Sequence, residues 1–140
     1  MAVYTKINKK DISFINKKFD IENFKSFKGI KQGIENTNYL LKSKNKKFIL
    51  TIFEKRVQKK EIPFFIKLMD RLNHLNINCP KPLKNHKGKY LINLKGKSAC
   101  IVTFLDGKDK KKLNTKNCFD IGNMIGKMHV STKNIKLYRK

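Results

Sequence analysis

Arginine is scarce in this sequence and tryptophan is missing. Of 34 basic residues only Arg56, Arg71 and Arg139 are arginine. Acidic residues number 10, which leaves a formal charge of +24. A charge of that sign draws polyanions, whether nucleic acid or an anionic membrane surface. Yet the side chain best suited to grip phosphate or guanine with a bidentate fork is nearly missing. The lysines run from end to end and do not gather in one stripe. Lysine, asparagine and isoleucine share A/T-rich codons. The excess therefore reads as composition bias and a solvated lysine surface, with a polyanion site as the alternative.

Cysteine is also scarce. Cys79, Cys100 and Cys118 stand far apart with no C-x-x-C pair, and His74, His86 and His129 show no metal-ligand spacing. A structural zinc site is not expected. Three separated thiols fit a reducing compartment and core packing. No apolar run approaches the roughly 20 residues needed to span a bilayer. The opening "MAVYTKINKKDISF" has no long apolar segment of the secretory type. The expectation is a soluble cytoplasmic protein, long enough at 140 residues for one core.

What is present is patterned. "KKDISFINKKF" puts Ile12, Phe14, Ile15 and Phe19 near one helical face, with Asp11 or Ser13 as its cap. "SFKGIKQG", "NYLLKSK" and "KKFILTIFEKR" read as three strands of an antiparallel meander. "KKEIPFFIKLMDRLNHLNI" is the clearest helix: Ile62, Phe65, Ile66, Met69, Leu72 and Leu75 recur at three- and four-residue spacing. Pro63 suits its first turn. "CPKPL" ends it and starts extended chain. Two more strands follow in "KNHKGKYLINLKGKSACIVTFLDG", and the unbroken apolar run in "SACIVTFL" suits a strand buried on both faces. After the charged "KDKKK" comes a helix, "TKNCFDIGNMIGKMHVST", with Asn114 and Thr115 at its start. Phe119, Gly122, Ile125, Gly126 and His129 fall along one side of it. Helix, three strands, helix, two strands, connector, helix is an α+β order.

That order is also the order of a protein-kinase-like small lobe: a five-stranded antiparallel sheet with one long helix, then the start of a helical second lobe. The segments "SFKGIKQGIENTNYLL", "KKFILTIFEKR", "IPFFIKLMDRLNHLNINCPKPL" and "SACIVTFLDG" resemble the N-terminal part of bacterial homoserine kinases, members of the aminoglycoside-phosphotransferase and choline-kinase superfamily. The resemblance runs the length of the chain. It implies residues 1–106 as a nucleotide-binding lobe and 107–140 as a hinge connector with the first helix of a second lobe. It implies ATP and Mg²⁺ as cofactors and L-homoserine as the substrate whose hydroxyl is phosphorylated. Choline, an aminoglycoside or methylthioribose are the alternatives within the superfamily, and a basic nucleic-acid-binding module is the alternative outside it.

Carried over residue by residue, Gly33, Glu35, Asn36, Thr37 and Asn38 form the loop that covers the phosphates, though an ordinary hairpin loop has the same composition. Glu61 is either the acid that orients a phosphate-binding lysine or a helix-start glutamate favoured by the dipole. Thr103, Phe104 and Leu105 serve as the hinge whose backbone reads adenine, and equally as core strand. His129 is expected to be structural.

Two departures stand out. The third strand of a kinase carries a phosphate-binding lysine. Here Thr51 occupies that place, and Lys55 or Arg56 stands further along. The H-x-D-x-x-x-x-N segment and the metal-binding aspartate of the second lobe are also not found: His129-Val130-Ser131 and His86-Lys87-Gly88 both lack the aspartate. The 140 residues read as a piece of a longer kinase, inactive alone, with the metal ligands elsewhere.

Overall fold

Period-two alternation builds the sheet. The computed structural model describes residues 3–54, 58–107 and 109–138. Strands β1 (Ser26–Gly29), β2 (Thr37–Lys42), β3 (Lys47–Ile52), β4 (Ile92–Leu94) and β5 (Lys97–Thr103) form one antiparallel sheet in the order β1-β2-β3-β5-β4. Helix α1 (Lys9–Lys18) precedes β1, α2 (Ile62–His74) lies between β3 and β4, and α3 (Thr115–Thr132) follows β5. No helix among the described residues is long and apolar enough to cross a membrane.

The two faces of the sheet carry different cores. Tyr39, Leu41, Phe48, Leu50, Ile52, Ala99 and Ile101 point one way and pack with Ile12 and Ile15 of α1 and with Phe19 and Phe24. Their neighbours in sequence point the other way. There Ile49, Cys100 and Val102 pack against Ile62, Ile66 and Met69 of α2. Ala99 to Val102 are all buried, as a strand covered on both faces requires. Leu50, Ile52 and Ile101 are fully enclosed, and each such side chain contributes roughly 1.5–3 kcal/mol by leaving water.

The caps and edges differ in detail from the sequence reading. Helix α1 is capped by Asn8, not by Asp11 or Ser13. Asn8 Oδ1 accepts from the Asp11 N–H, and Asp11 Oδ2 accepts from the Asn8 N–H, a reciprocal box that satisfies two end donors. Asn114 caps α3 with Asn117 in the same way. The "CPKPL" segment is not merely a connector. Leu83 N–H donates to Ile101 O and Thr103 N–H to Lys81 O, both at 2.9 Å, so residues 81–83 extend the edge beyond β4. Pro82 sits between those two bonds, where its missing N–H costs nothing.

The last helix carries no buried residue. Phe119 (72 % exposed) and Val130 (78 % exposed) lie open, with Ile121, Met124 and Ile125 beside them. The expected apolar side is therefore present but uncovered within this chain. The cysteines divide three ways: Cys100 is buried, Cys79 is half-buried and Cys118 on α3 is exposed. The expectation of core packing holds only for the first two.

Candidate functional site

The face that carries α2 is covered only in part. Among the described residues no β1 or β2 residue joins the α2 core, so the β1–β2 end of that face lies outside it. The registers lay the side chains there in rows. One row runs Lys28, Leu40, Ile49, Val102, and the next runs Asn38, Thr51, Cys100. Leu40 and Ile49 are half-buried. They form an apolar shelf bounded by a polar row on one side and by Thr103 and the residues that follow β5 on the other. Sequence reasoning missed Leu40, Ile49 and Val102 as a floor, although strand alternation alone would have put them on one face.

A long loop, residues 30–36, stands at the β1–β2 end. Gly33 has φ +102, which favours glycine. The loop is held from the opposite face by the N-terminal segment. Tyr4 Oη donates to Ile34 O at 3.0 Å. The Tyr4 and Thr5 N–H groups donate to Thr37 Oγ1 at 2.9 and 3.1 Å. Gly29 allows this approach, since a Cβ there would meet Val3 Cγ2 at 3.0 Å. Asn36 Oδ1 accepts from the Glu54 N–H at 3.3 Å, tying the loop to the end of β3. Gly33 and Glu35 lie at the exposed part of the loop.

Thr37 and Asn38 are not loop residues, as the sequence reading had them, but the first two residues of β2. Alternation sends their side chains to opposite faces. Thr37 is fully buried. Its hydroxyl donates to Glu54 Oε1 at 2.7 Å, as does that of Thr5, and Lys97 Nζ closes the cluster on Glu54 Oε2 and Thr5 Oγ1. A ligand on the shelf cannot reach the Thr37 side chain. The Glu54 carboxyl is lowered from its ordinary 4.5: burial alone would raise it, but the hydrogen bonds from Lys97, Thr5 and Thr37 and the Lys97 charge outweigh that.

Asn38 and Thr51 face the shelf side, and the structure brings them together. Thr51 Oγ1 donates to Asn38 Oδ1 at 2.8 Å. Cys100, third in the row, is a buried neutral thiol, pushed up to about 12 by desolvation. Lys55 lies outside the described residues. Glu61 holds the N-cap position of α2, half-buried, without a side-chain capping bond.

The three residues expected as a hinge are already partly engaged. Thr103 N–H donates to Lys81 O, its hydroxyl accepts from Lys81 N–H at 2.9 Å, and Phe104 N–H donates to Lys47 O at 3.2 Å. The backbone N–H groups of Thr103 and Phe104 are thus spent inside the protein. Leu105 is the first whose N–H takes part in no hydrogen bond among the described residues. Lys47 braces the strip further, 5.2 Å from the Phe104 ring centroid and 3.3 Å from Asp106 Oδ1. Nothing in the sequence marked Lys47 among so many lysines.

Among the described residues, no three His, Cys, Asp or Glu side chains come together in a group that could hold a metal ion. A hollow of about 440 Å³ between Lys67, Asp70, Arg71 and His74 of α2 and residues 134–137 shares no residue with the shelf. Its mixed charges are those of a solvated seam. Of the aromatics available for stacking on bases, Tyr4 and Tyr138 are exposed, while Tyr90 is half-buried with the Lys84 ammonium over its ring.

The fold and the sequence both have counterparts. Over 139 residues, 99% of the chain, it is 38% identical to a homoserine kinase of Rhizobium etli. Over the same length it is 39% identical to one from Bradyrhizobium diazoefficiens. It spans 43% and 42% of those two proteins. Among solved structures, a spectinomycin phosphotransferase in complex with ADP and spectinomycin superposes with a TM-score of 0.73 at 14% identity, over 91% of this chain and 39% of that one. An amicoumacin kinase in complex with AMP-PNP and Ca²⁺ gives 0.72 at 16%, over 94% of this chain and 42% of that one. These likenesses establish the kinase-like small lobe. The model of the phosphotransferase enzyme family matches residues 26–139. The chain belongs to the phosphotransferase enzyme family.

Proposed function

We propose that this chain is the nucleotide-binding lobe of an ATP-dependent phosphotransferase that phosphorylates the side-chain hydroxyl of L-homoserine, giving O-phospho-L-homoserine. The observation that carries the substrate is the 38% identity to homoserine kinases along 99% of the chain. The half-buried shelf of Leu40 and Ile49 supports the nucleotide part. On this reading the adenine lies on that shelf, with its edge at the free N–H of Leu105. Backbone N–H groups of the 30–36 loop cover the phosphates, as glycine loops do in kinases. On this reading residues 1–106 form the lobe, and 107–140 carry the connector and α3 toward the acceptor-binding part.

Neither Glu54 nor Asp106 is assigned here as the base that takes the acceptor proton. Glu54 is sealed into the cluster on the opposite face, and Asp106 is turned to Lys47. We assign that base and the Mg²⁺ ligands to polypeptide outside these residues.

The test is a chimera in which this chain replaces the matching part of the Rhizobium etli enzyme, assayed by ADP release. Turnover dependent on L-homoserine supports the proposal. Turnover with choline or an aminoglycoside in its place, or a folded chimera with no turnover, overturns it.

A further inference from the structure

We infer that Asn38, oriented by Thr51, donates its side-chain amide to a phosphate of the bound nucleotide, at the place where kinases otherwise set an ammonium. The inference rests on the nucleotide reading above and names a residue that determines how this lobe meets the anion. Threonine at position 51 brings no charge to β3, and the row it shares holds only Asn38 and the neutral thiol of Cys100. The positive contact that β3 lysine makes in kinases therefore has no counterpart in that row.

What the row does offer is a fixed donor. The 2.8 Å bond from Thr51 Oγ1 occupies Asn38 Oδ1, which fixes which end of the amide faces Thr51 and leaves Nδ2 directed away from it. Among the described residues nothing takes up the two N–H bonds of that nitrogen. The backbone beneath it is pinned, since Ile30 N–H donates to Asn38 O at 2.9 Å. Asn38 stands two residues after the 30–36 loop and shares a face with Leu40. A half-buried amide whose two donors are unused among the described residues, held by its neighbour, suits an acceptor-only group such as a nucleotide phosphate. Donation to a charged acceptor is the strong form of the hydrogen bond. A site preset this way loses little freedom on binding.

The experiment measures adenosine, ADP and ATP affinities of the 140-residue chain and of Asn38→Ala, Thr51→Val and Thr51→Ser, with folding checked by circular dichroism. The inference expects the ATP-over-adenosine affinity ratio to fall about tenfold in Asn38→Ala. It expects a smaller fall in Thr51→Val, which frees the amide to rotate, and recovery in Thr51→Ser, which restores the hydroxyl. An unchanged ratio in folded Asn38→Ala and Thr51→Val overturns it. Should Asn38→Ala fail to fold, the Thr51 pair decides. A wild-type chain that binds adenosine and ATP equally well overturns this inference alone. A wild-type chain that binds none of the three overturns the nucleotide reading and this inference together.

Discussion

Thr37 Oγ1 and Glu54 Oε1 lie 2.7 Å apart at the point where the N-terminal segment, β2, β3 and β5 meet. The Thr37 hydroxyl is spent three times over: it accepts from the Tyr4 and Thr5 N–H groups and donates to Glu54. Removing it strands two backbone donors and one carboxylate lone pair under the loop. Thr37→Val, equal in shape, is expected to destabilise the chain by about 2 kcal/mol in urea unfolding. Thr37→Ser, which keeps the oxygen, stays near wild type. Equal stability of Val and wild type would mean the cluster holds nothing together.

Acid sensitivity follows from the same cluster. Because the folded-state pKa of Glu54 lies below its ordinary 4.5, folding is favoured by its ionisation. That contribution is fully present above about pH 4.5 and fades as pH falls through the lowered folded value. The wild type should lose stability across that window, and Glu54→Gln should be less stable at pH 7 with a shallower acid limb. Unfolding midpoints from pH 3 to 7 decide it. Parallel acid limbs would show that Glu54 does not carry the effect.

The sequence made the strands and helices legible, and it misled at Thr37 for an instructive reason. "ENTN" reads as a polar loop because its residues are polar, but Thr37-Tyr39-Leu41 is already an alternating strand face. Position in the register, not polarity, decided where the hydroxyl went. Tyr4 and Thr5 were illegible because their partners lie some thirty residues away. The edge at residues 81–83 was hidden by Pro82, which reads as a breaker and here occupies the one position where no N–H is needed. The Asn38–Thr51 pair needed the exact β2–β3 register, and turn length leaves that undetermined. Asn8 was missed as the α1 cap although Asp11 three residues on completes its box.

Gly33 tests the loop. Its φ of +102 is strained for a side chain, while a Cβ there would meet nothing within 4 Å. Gly33→Ala should therefore cost about 1–2 kcal/mol of loop strain without a steric clash. On the nucleotide reading it should also weaken ATP more than adenosine. A loss shared equally by both ligands would place the loop away from the phosphates.

The thiols should react in the order of their surroundings. Cys118 on the uncovered helix is expected to react first with an aromatic disulfide reagent. Cys79, half-buried and bonded through Sγ to Asn73 Nδ2 at 3.1 Å, should follow slowly. Cys100, its thiol pushed up to about 12 by burial, should react only on unfolding. Mass-mapped labelling checks this, and early labelling of Cys100 would contradict the buried β5.

The exposed side of α3 should behave as sticky surface. The isolated chain is expected to bind a hydrophobic dye, and Phe119→Glu with Val130→Lys should remove most of that signal while leaving the sheet intact. A monomer that binds no dye would show that this face is covered after all.

The central claim is that the open α2 face binds a nucleotide. Methyl and amide NMR of the 140-residue chain, titrated in turn with ATP and with a short RNA, tests it most directly. The account predicts saturable ATP shifts at Leu40, Ile49, Val102 and Leu105, with the RNA leaving those signals in place. Shifts scattered over the lysine surface, alike for ATP and RNA and lost in moderate salt, would contradict it and leave a general polyanion surface instead.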